Sequence, residues 1–154
     1  MCRDLLELLL ESPHRCVAGA ALRQEWQKHA SGFSQTWMRR MYAKGKIVGM
    51  NDVGQQILSE RVRAAVAGDY QPEAWAEIAK DLHLVQAALA TDRVIISGDR
   101  RARDTYRIAC RRVRELGPIC WVDPAMHGDH LLRWLRGEAE APRHWNLDPT
   151  RESA

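Results

Sequence analysis

The segment 81–99, DLHLVQAALATDRVIISGD, constrains the fold of this chain more than any other. From Asp81 the apolar residues recur at helical spacing, and the run Val94-Ile95-Ile96 is typical of a buried strand. A helix of roughly ten residues spans about 15 Å, and a strand of about five residues spans about 16 Å in the opposite direction. Because the helix and the strand run in opposite directions over equal lengths, the chain returns to the level at which it started. We therefore expect Asp81 and Asp99 at the same edge of a parallel sheet, the edge where open α/β folds bind ligands.

Short apolar runs alternate with helical periodicity along the rest of the chain. Strands that alternate with helices imply a parallel sheet with helices on both faces, so the predicted fold class is a three-layer α/β/α domain with a mainly parallel sheet. The predicted strands are 15–18, 47–49, 94–96 and 119–122. The predicted helices are 3–11, 20–29, 35–43, 53–67, 73–80, 81–89, 102–115 and 130–138.

The length of 154 residues fits one domain, which we place at residues 1–138. Residues 139–154 form a polar, Pro-containing tail that we expect to be loosely ordered, with Trp145 as a docking point. No apolar run approaches the roughly 20 residues that span a bilayer, which predicts a soluble protein with no membrane partner. The four cysteines lack CxxC spacing, which favours reduced thiols and a cytoplasmic location over a disulfide framework or a zinc site.

Charge is distributed unevenly, although the formal net charge is only +3. Basic clusters of this kind can contact phosphates or can be ordinary solvated surface. One cluster comprises Arg39, Arg40, Lys44 and Lys46, and the other follows Asp99 and comprises Arg100, Arg101, Arg103, Arg107, Arg111, Arg112 and Arg114.

A third acid follows the same geometry as the segment 81–99. The strand at 15–18 ends at the carboxyl edge of the sheet, and Glu25 lies within the first two turns of the helix that begins there. Glu25, Asp81 and Asp99 therefore offer hard oxygen ligands of the kind that Mg²⁺ or Mn²⁺ prefers. A divalent ion there would polarise a phosphodiester and activate a water for hydrolysis.

Each candidate also has a simpler structural interpretation. Asp81 could cap its helix, Glu25 could be a solvated helix residue, and Asp123 reads as a turn residue. His83 could contact a substrate or a carboxylate, or it could be a partly exposed structural histidine. The chain contains no GxGxxG, no phosphate-binding Gly-Lys-Ser/Thr loop and no HExxH.

Three segments carry a resemblance to a known family: Leu22-Arg-Gln-Glu25, Asp81-Leu-His-Leu-Val-Gln-Ala-Ala-Leu89 and Val94-Ile-Ile-Ser-Gly-Asp99. In order and spacing they resemble the motifs of PIN-like domains, the fold of many metal-dependent endoribonucleases, including toxins of the VapC type. The resemblance covers residues 1–122. It implies that Glu25, Asp81 and Asp99 are catalytic and metal-binding acids, that the ion is Mg²⁺ or Mn²⁺, and that water cleaves single-stranded RNA.

The chain departs from the PIN-like pattern at its start. PIN domains place another catalytic aspartate at the end of a strand before the first helix, whereas this sequence begins at that helix, and Asp4 would lie inside it. Either the reading frame begins upstream, or the chain lacks this strand and its metal ligand. In the second case we expect weak catalysis and a homodimer formed through the gap in the sheet.

The leading hypothesis is a metal-dependent endoribonuclease, with an antitoxin protein as a further partner if it is a toxin component. Arg100, Arg101, Arg103 and His83 would bind the RNA substrate near the metal. The main alternative is a catalytically impaired PIN-like domain that binds RNA or a protein partner. A lower-ranked alternative is a fragment of a haloacid-dehalogenase-type phosphatase, because Gly98-Asp99-Arg-Arg-Ala-Arg-Asp104 resembles the late acidic motif of that family, but the nucleophilic Asp-x-Asp is missing.

Overall fold

The computed structural model describes residues 2–29, 31–50, 55–69 and 75–150, and it is a mixed α/β fold. The strands are β1 (Cys16–Ala18), β2 (Ile47–Gly49), β3 (Val94–Ile96) and β4 (Cys120–Val122). The helices are α1 (Cys2–Glu11), α2 (Ala20–His29), α3 (Gly32–Ala43), α4 (Gln55–Val66), α5 (Trp75–Ala79), α6 (Leu82–Leu89), α7 (Arg100–Ala109) and α8 (Pro124–Leu135), with 3₁₀ turns at Arg114–Leu116 and Arg143–Trp145.

The chain divides into two compact units. The first unit comprises Met1–Asp52 and Pro124–Glu140, and the second comprises Val53–Asp123 and Ala141–Ala154. Each unit contains a two-stranded parallel sheet, β1 with β2 in the first and β3 with β4 in the second. The predicted parallel pairing of strands is therefore confirmed, and within the described ranges the strands form two pairs.

In the first unit, the segment that enters β2 fixes the end of α1. The amino group of Lys46, which is 9% exposed, donates hydrogen bonds to the carbonyl oxygens of Leu9, Leu10 and Ser12. The Leu9 and Leu10 carbonyls belong to the last turn of α1, where backbone acceptors have no partner within the helix, and Ser12 directly follows the helix. The Trp37 indole of α3 donates to the carbonyl oxygen of Leu6 at 2.5 Å, so two side chains hold α1 in place.

In the second unit, β3 and β4 cross one continuous apolar core. The Tyr106 and Trp121 rings stack with centroids 5.7 Å apart, and both side chains are fully buried. Val62 of α4 and Val85 of α6 are part of the same core. The parallel register pairs Ile96 with Val122, so both strands end at one level and their carboxyl ends lead into adjacent loops.

The observed strands match the four predictions to within one residue. Helix α7 begins at Arg100 rather than Ala102, because Asp99 caps it, and it ends at Ala109, where the chain turns to bury Val113. Helix α8 begins at Pro124 rather than His130, with a kink at His127. The predicted helix starts at Val53 and Glu73 lie outside the described residues.

The C-terminal segment was expected to be loose, and up to residue 150 the structure shows otherwise. Trp145 is 1% exposed, in agreement with the predicted docking point. The backbone N–H groups of Leu147 and Asp148 donate to the carbonyl oxygens of Ile119 and Gly117 at 2.9 and 3.0 Å. These bonds hold the tail against the segment that enters β4. They also give the backbone groups of both segments the hydrogen-bond partners that buried polar groups require.

Candidate functional site

Two carboxylates meet at the carboxyl end of β3, as the segment 81–99 predicted. Asp81 directly precedes α6, and Asp99 lies between β3 and α7. The charge of Asp99 acts on the Asp81 carboxyl, so the two side chains lie near each other. Neither forms an ion pair with a basic side chain in the described part of the chain. We name Asp81 and Asp99 the acidic pair.

The environment of the acidic pair opposes ionisation of one member. Burial raises the pKa of the Asp81 carboxyl, and the negative charge of Asp99 raises it further, while the charges of His83 and Lys80 act in the opposite direction. Asp81 is half-buried and Asp99 is exposed. Burial, and to a lesser extent the charge of Asp81, also raises the pKa of the Tyr106 hydroxyl. Two adjacent carboxylates of this kind favour a cation between them.

The structure reverses the capping roles that the sequence suggested. Asp99 is the N-cap of α7, and its Oδ1 accepts a hydrogen bond from the Ala102 N–H at 2.8 Å. Asp81 occupies the N-cap position of α6, but its side chain makes no capping bond. The Asp81 carboxylate is therefore not occupied by its own helix, whereas Asp99 has one oxygen in the cap and a second oxygen for another partner.

His83 is buried beside the acidic pair. Its side chain is only 8% exposed, and Nδ1 lies 2.6 Å from the carbonyl oxygen of Lys80. A carbonyl only accepts, so the proton of a neutral ring lies on Nδ1 and the lone pair on Nε2. Nε2 is buried and has no hydrogen-bond partner among the described residues. The sequence suggested a partly exposed histidine if the residue were structural, and burial of the ring corrects that view.

Three arginines open α7 directly after Asp99. The Arg100 Nε donates to Asp123 Oδ2 at 2.8 Å, and a terminal nitrogen of Arg103 donates to the carbonyl oxygen of His144 at 3.1 Å. Burial lowers the pKa of Arg103, and the nearby Arg107 charge lowers it further. Arg101 is exposed to solvent. Arg100 and Arg103 are thus held at fixed positions, a property that sequence could not show.

Asp123 is a site residue that the sequence interpretation missed. It was predicted to be a turn residue, yet it is 2% exposed and follows β4 directly. The signal was present, because Asp123 ends an apolar strand in the same manner as Asp99. Parallel strands bring their carboxyl ends to one edge, so the rule applied to Asp99 also predicts Asp123 at this edge.

Glu25 belongs to the first unit, on helix α2. Its carboxylate is exposed and forms an ion pair with Lys28 at 2.7 Å. A surface pair of this type contributes about 0–1 kcal/mol, so it would not prevent the carboxylate from exchanging partners. The participation of Glu25 in a site with Asp81 and Asp99 stays a prediction.

The acidic pair fits a hard divalent ion that retains water ligands. Within residues 2–29, 31–50, 55–69 and 75–150, no group of three His, Cys, Asp or Glu side chains is arranged to hold a metal. Mg²⁺ commonly binds through one or two carboxylates and completes its shell with waters and substrate phosphates. Asp81 and Asp99 can supply the two carboxylates, so the donor set suits Mg²⁺ or Mn²⁺ when a phosphate substrate is bound.

Comparisons with protein-family models, curated proteins and solved structures found no match to this chain. None of the helices in the described ranges is both long and apolar enough to cross a bilayer. The acidic pair, its arginines and the order of the three sequence motifs are therefore the features from which a function can be inferred.

Proposed function

We propose that this chain is a PIN-like, metal-dependent endoribonuclease domain that hydrolyses single-stranded RNA. The observation that carries the proposal is the acidic pair, in which a half-buried Asp81 meets Asp99 at the end of a parallel strand. The motif order adds Glu25 as a third acid and implies the three-layer arrangement of the PIN-like fold. The parallel pairing of β3 and β4 supports that arrangement.

Electrostatics explains why a cation suits this position. Two neighbouring carboxylates repel each other, and partial burial of Asp81 weakens the screening by water. A proton relieves the repulsion at low pH, and a divalent ion relieves it at neutral pH. Bound Mg²⁺ or Mn²⁺ would supply Lewis-acid polarisation of a phosphodiester and a water of lowered pKa.

The side chains of this unit would then divide the remaining tasks. Asp81 and Asp99 would hold the ion, and the cap bond to Ala102 restrains the Asp99 side chain. Arg100 and Arg103 bind phosphate oxygens through guanidinium groups, whose planar N–H donors match the geometry of phosphate. RNA is the proposed substrate on the basis of the motif resemblance.

The second candidate is a PIN-like domain that binds RNA without cleaving it. Its support is the use of one Asp99 oxygen as a helix cap, which leaves fewer carboxylate oxygens for a metal ion. Such a domain would retain the arginine contacts and lose affinity for RNA as the salt concentration rises. Its RNA binding would not require a metal ion.

The test compares single-stranded RNA cleavage by the wild type, Asp99→Asn and Asp104→Asn in Mn²⁺. Asp104 is an exposed acid on the same helix, so its substitution controls for the change in charge. We expect Asp99→Asn to lose about 100-fold or more in rate, which corresponds to roughly 3 kcal/mol of transition-state stabilisation. The Asp104→Asn variant should retain the wild-type rate, and chelation with EDTA should abolish cleavage.

The outcomes separate the two candidates. Cleavage at equal rates by the wild type and Asp99→Asn would exclude the acidic pair as the catalytic site. RNA binding that persists in EDTA, without cleavage in Mg²⁺ or Mn²⁺, would favour the binding-only domain. Release of phosphate from small phosphoesters with intact RNA would instead favour a phosphatase.

A further inference from the structure

Asp123 is a buried acid whose carboxylate contacts an exposed arginine. The Asp123 side chain is 3% exposed, whereas that of Arg100 is 63% exposed, and the Nε–Oδ2 distance is 2.8 Å. A buried carboxylate is costly unless it is hydrogen-bonded, so the pair fixes the position of the Arg100 side chain. The contact uses Nε, so the two terminal nitrogens of the guanidinium can donate to another acceptor.

The strand register explains why this contact lies beside the acidic pair. Asp123 follows Val122, which pairs with Ile96, and the Ser97 N–H donates to the Val122 carbonyl oxygen at 3.0 Å. Arg100 is the first residue of α7 and directly follows Asp99. The Arg100–Asp123 bond therefore joins the end of β4 to the start of α7, next to Asp99.

A second arginine is held on the same face of α7. Arg103 lies one turn after Arg100, and its terminal nitrogen donates to the His144 carbonyl oxygen. Its Nε is buried and has no partner in the described ranges. The Asp123 charge also acts on the Arg103 guanidinium. One buried acid thus influences both arginines.

We propose that Asp123 is a positioning residue that holds Arg100 so that Arg100 and Arg103 together bind one RNA phosphate beside the acidic pair. This inference rests on the proposed function for its RNA substrate. A negative charge near a phosphate site repels phosphate, so Asp123 can favour binding only by ordering Arg100. Phosphate binding is then more favourable, because the Arg100 side chain has already lost its conformational entropy before the phosphate binds.

Removing the negative charge of Asp123 tests this role, because positioning and simple charge repulsion predict opposite changes in RNA affinity. Asp123→Asn and Asp104→Asn each remove one negative charge near Arg103, but only Asp123 contacts Arg100. If Asp123 positions Arg100, Asp123→Asn should weaken binding of a labelled single-stranded RNA about two- to tenfold in EDTA. Asp104→Asn should leave the affinity unchanged or increase it. Tighter binding by both variants would overturn the proposal, because charge alone would then explain the effect.

A double-mutant cycle separates positioning from a structural role. Arg100→Ala should weaken RNA binding and reduce the salt dependence by about 0.7 per lost phosphate contact. Adding Asp123→Asn to Arg100→Ala should cause no further loss of affinity, since no side chain is left to position. A further loss equal to that in the wild-type background would show that Asp123 acts only through the fold, and this result would refute the positioning role.

If Asp123→Asn does not fold, Arg100→Lys provides a second test. Arg100 is exposed, so its substitution should not prevent folding. Lysine retains the charge but lacks the planar donors, so we expect weaker RNA binding than in the wild type. Arg111→Lys, at an exposed position beyond the end of α7, should bind as the wild type does. Equal affinities of Arg100→Lys and the wild type would overturn the proposal. Because binding is measured in EDTA, its result is independent of whether the wild type cleaves RNA in Mn²⁺.

Discussion

Because Asp99 caps α7 and Asp81 makes no capping bond, we expect substitutions in the acidic pair to differ in their effect on the free energy of unfolding, even where they reduce cleavage alike. We consider three variants, Asp81→Asn, Asp99→Asn and Asp99→Ala, in the metal-free protein. Each removes one of two adjacent negative charges, and each should strongly reduce metal-dependent cleavage. Only Asp99→Ala also removes the hydrogen bond between Asp99 Oδ1 and the Ala102 N–H.

The magnitudes follow from two separate terms. Relief of charge repulsion across a partly exposed pair is screened by solvent and should contribute about 0.5 kcal/mol to the free energy of unfolding. Loss of an N-cap costs about 1 kcal/mol, whereas asparagine caps a helix about as well as aspartate. Asp81→Asn and Asp99→Asn should therefore be slightly more stable than the wild type. Asp99→Ala should be about 1 kcal/mol less stable than Asp99→Asn, or roughly 2–4 °C lower in Tm.

Thermal unfolding in EDTA and in Mn²⁺ measures both effects. At a Mn²⁺ concentration of 100 times Kd, binding to the folded wild type should add about 2.7 kcal/mol of stability, and this gain should be lost in all three variants. Equal Tm values for Asp99→Ala and Asp99→Asn would refute the capping role of Asp99. A lower Tm for metal-free Asp81→Asn than for the wild type would refute the repulsion between the two carboxylates.

Three further predictions concern the fold around the two sheets. Lys46→Met should lower the free energy of unfolding by about 2–3 kcal/mol in urea denaturation, because three carbonyl groups lose a charged donor and only part of that loss is offset by removal of a buried charge. The more exposed Lys44 is the matched control, and Lys44→Met should cost less than about 1 kcal/mol; equal losses would contradict the prediction. Tyr106→Phe should lower the free energy of unfolding by about 1–2 kcal/mol, because the Ile78 carbonyl oxygen loses a hydroxyl donor at 3.2 Å; unchanged stability would exclude a net contribution from that bond. Burial and Asp99 raise the pKa of Asp81 above 3.8, so the folded state binds this proton more tightly than the unfolded state, and stability should rise as the pH falls from neutrality through the raised pKa. The difference between the wild type and Asp81→Asn in pH-dependent denaturation isolates this contribution, and identical pH slopes would contradict it.

The sequence predicted the strands well because their signal is local. The runs at 94–96 and 119–122 are apolar, rich in β-branched residues and bounded by turn residues. The start of α7 was less predictable, because it depends on which residue adopts the capping conformation. Asp99 has an extended φ/ψ of −77° and 92°, which directs its side chain to the Ala102 N–H. Asp81 has φ/ψ of −92° and 2° and makes no such bond.

Part of the site was also predictable from the lengths of the helix and strand in the segment 81–99. The equal spans of a helix and a strand predict that Asp81 and Asp99 lie near each other, and the charge of Asp99 does act on the Asp81 carboxyl. The burial of His83 and Asp123 was not predictable in the same way, because it depends on how the packed elements surround these side chains. The hydrogen bond between Arg100 and Asp123 joins residues that are 23 positions apart in the chain. It depends on the register of β3 and β4, and no local sequence pattern specifies that register.

The cap at Asp99 has a consequence for how the acidic pair could work. A helix cap fixes the carboxylate in one orientation, with Oδ1 on the helix and Oδ2 available to another partner. The Asp81 side chain makes no capping bond, so under the proposed function it could adjust to an ion that Asp99 would hold in place. A rigid ligand beside an adaptable one limits the cost of ordering on binding. In the metal-free protein, burial and the neighbouring charge raise the pKa of Asp81, so its ionised carboxylate lowers the stability of the folded state at neutral pH. Substitution of Asp81 should therefore relieve that destabilisation, whereas substitution of Asp99 by alanine also removes the anchor of α7.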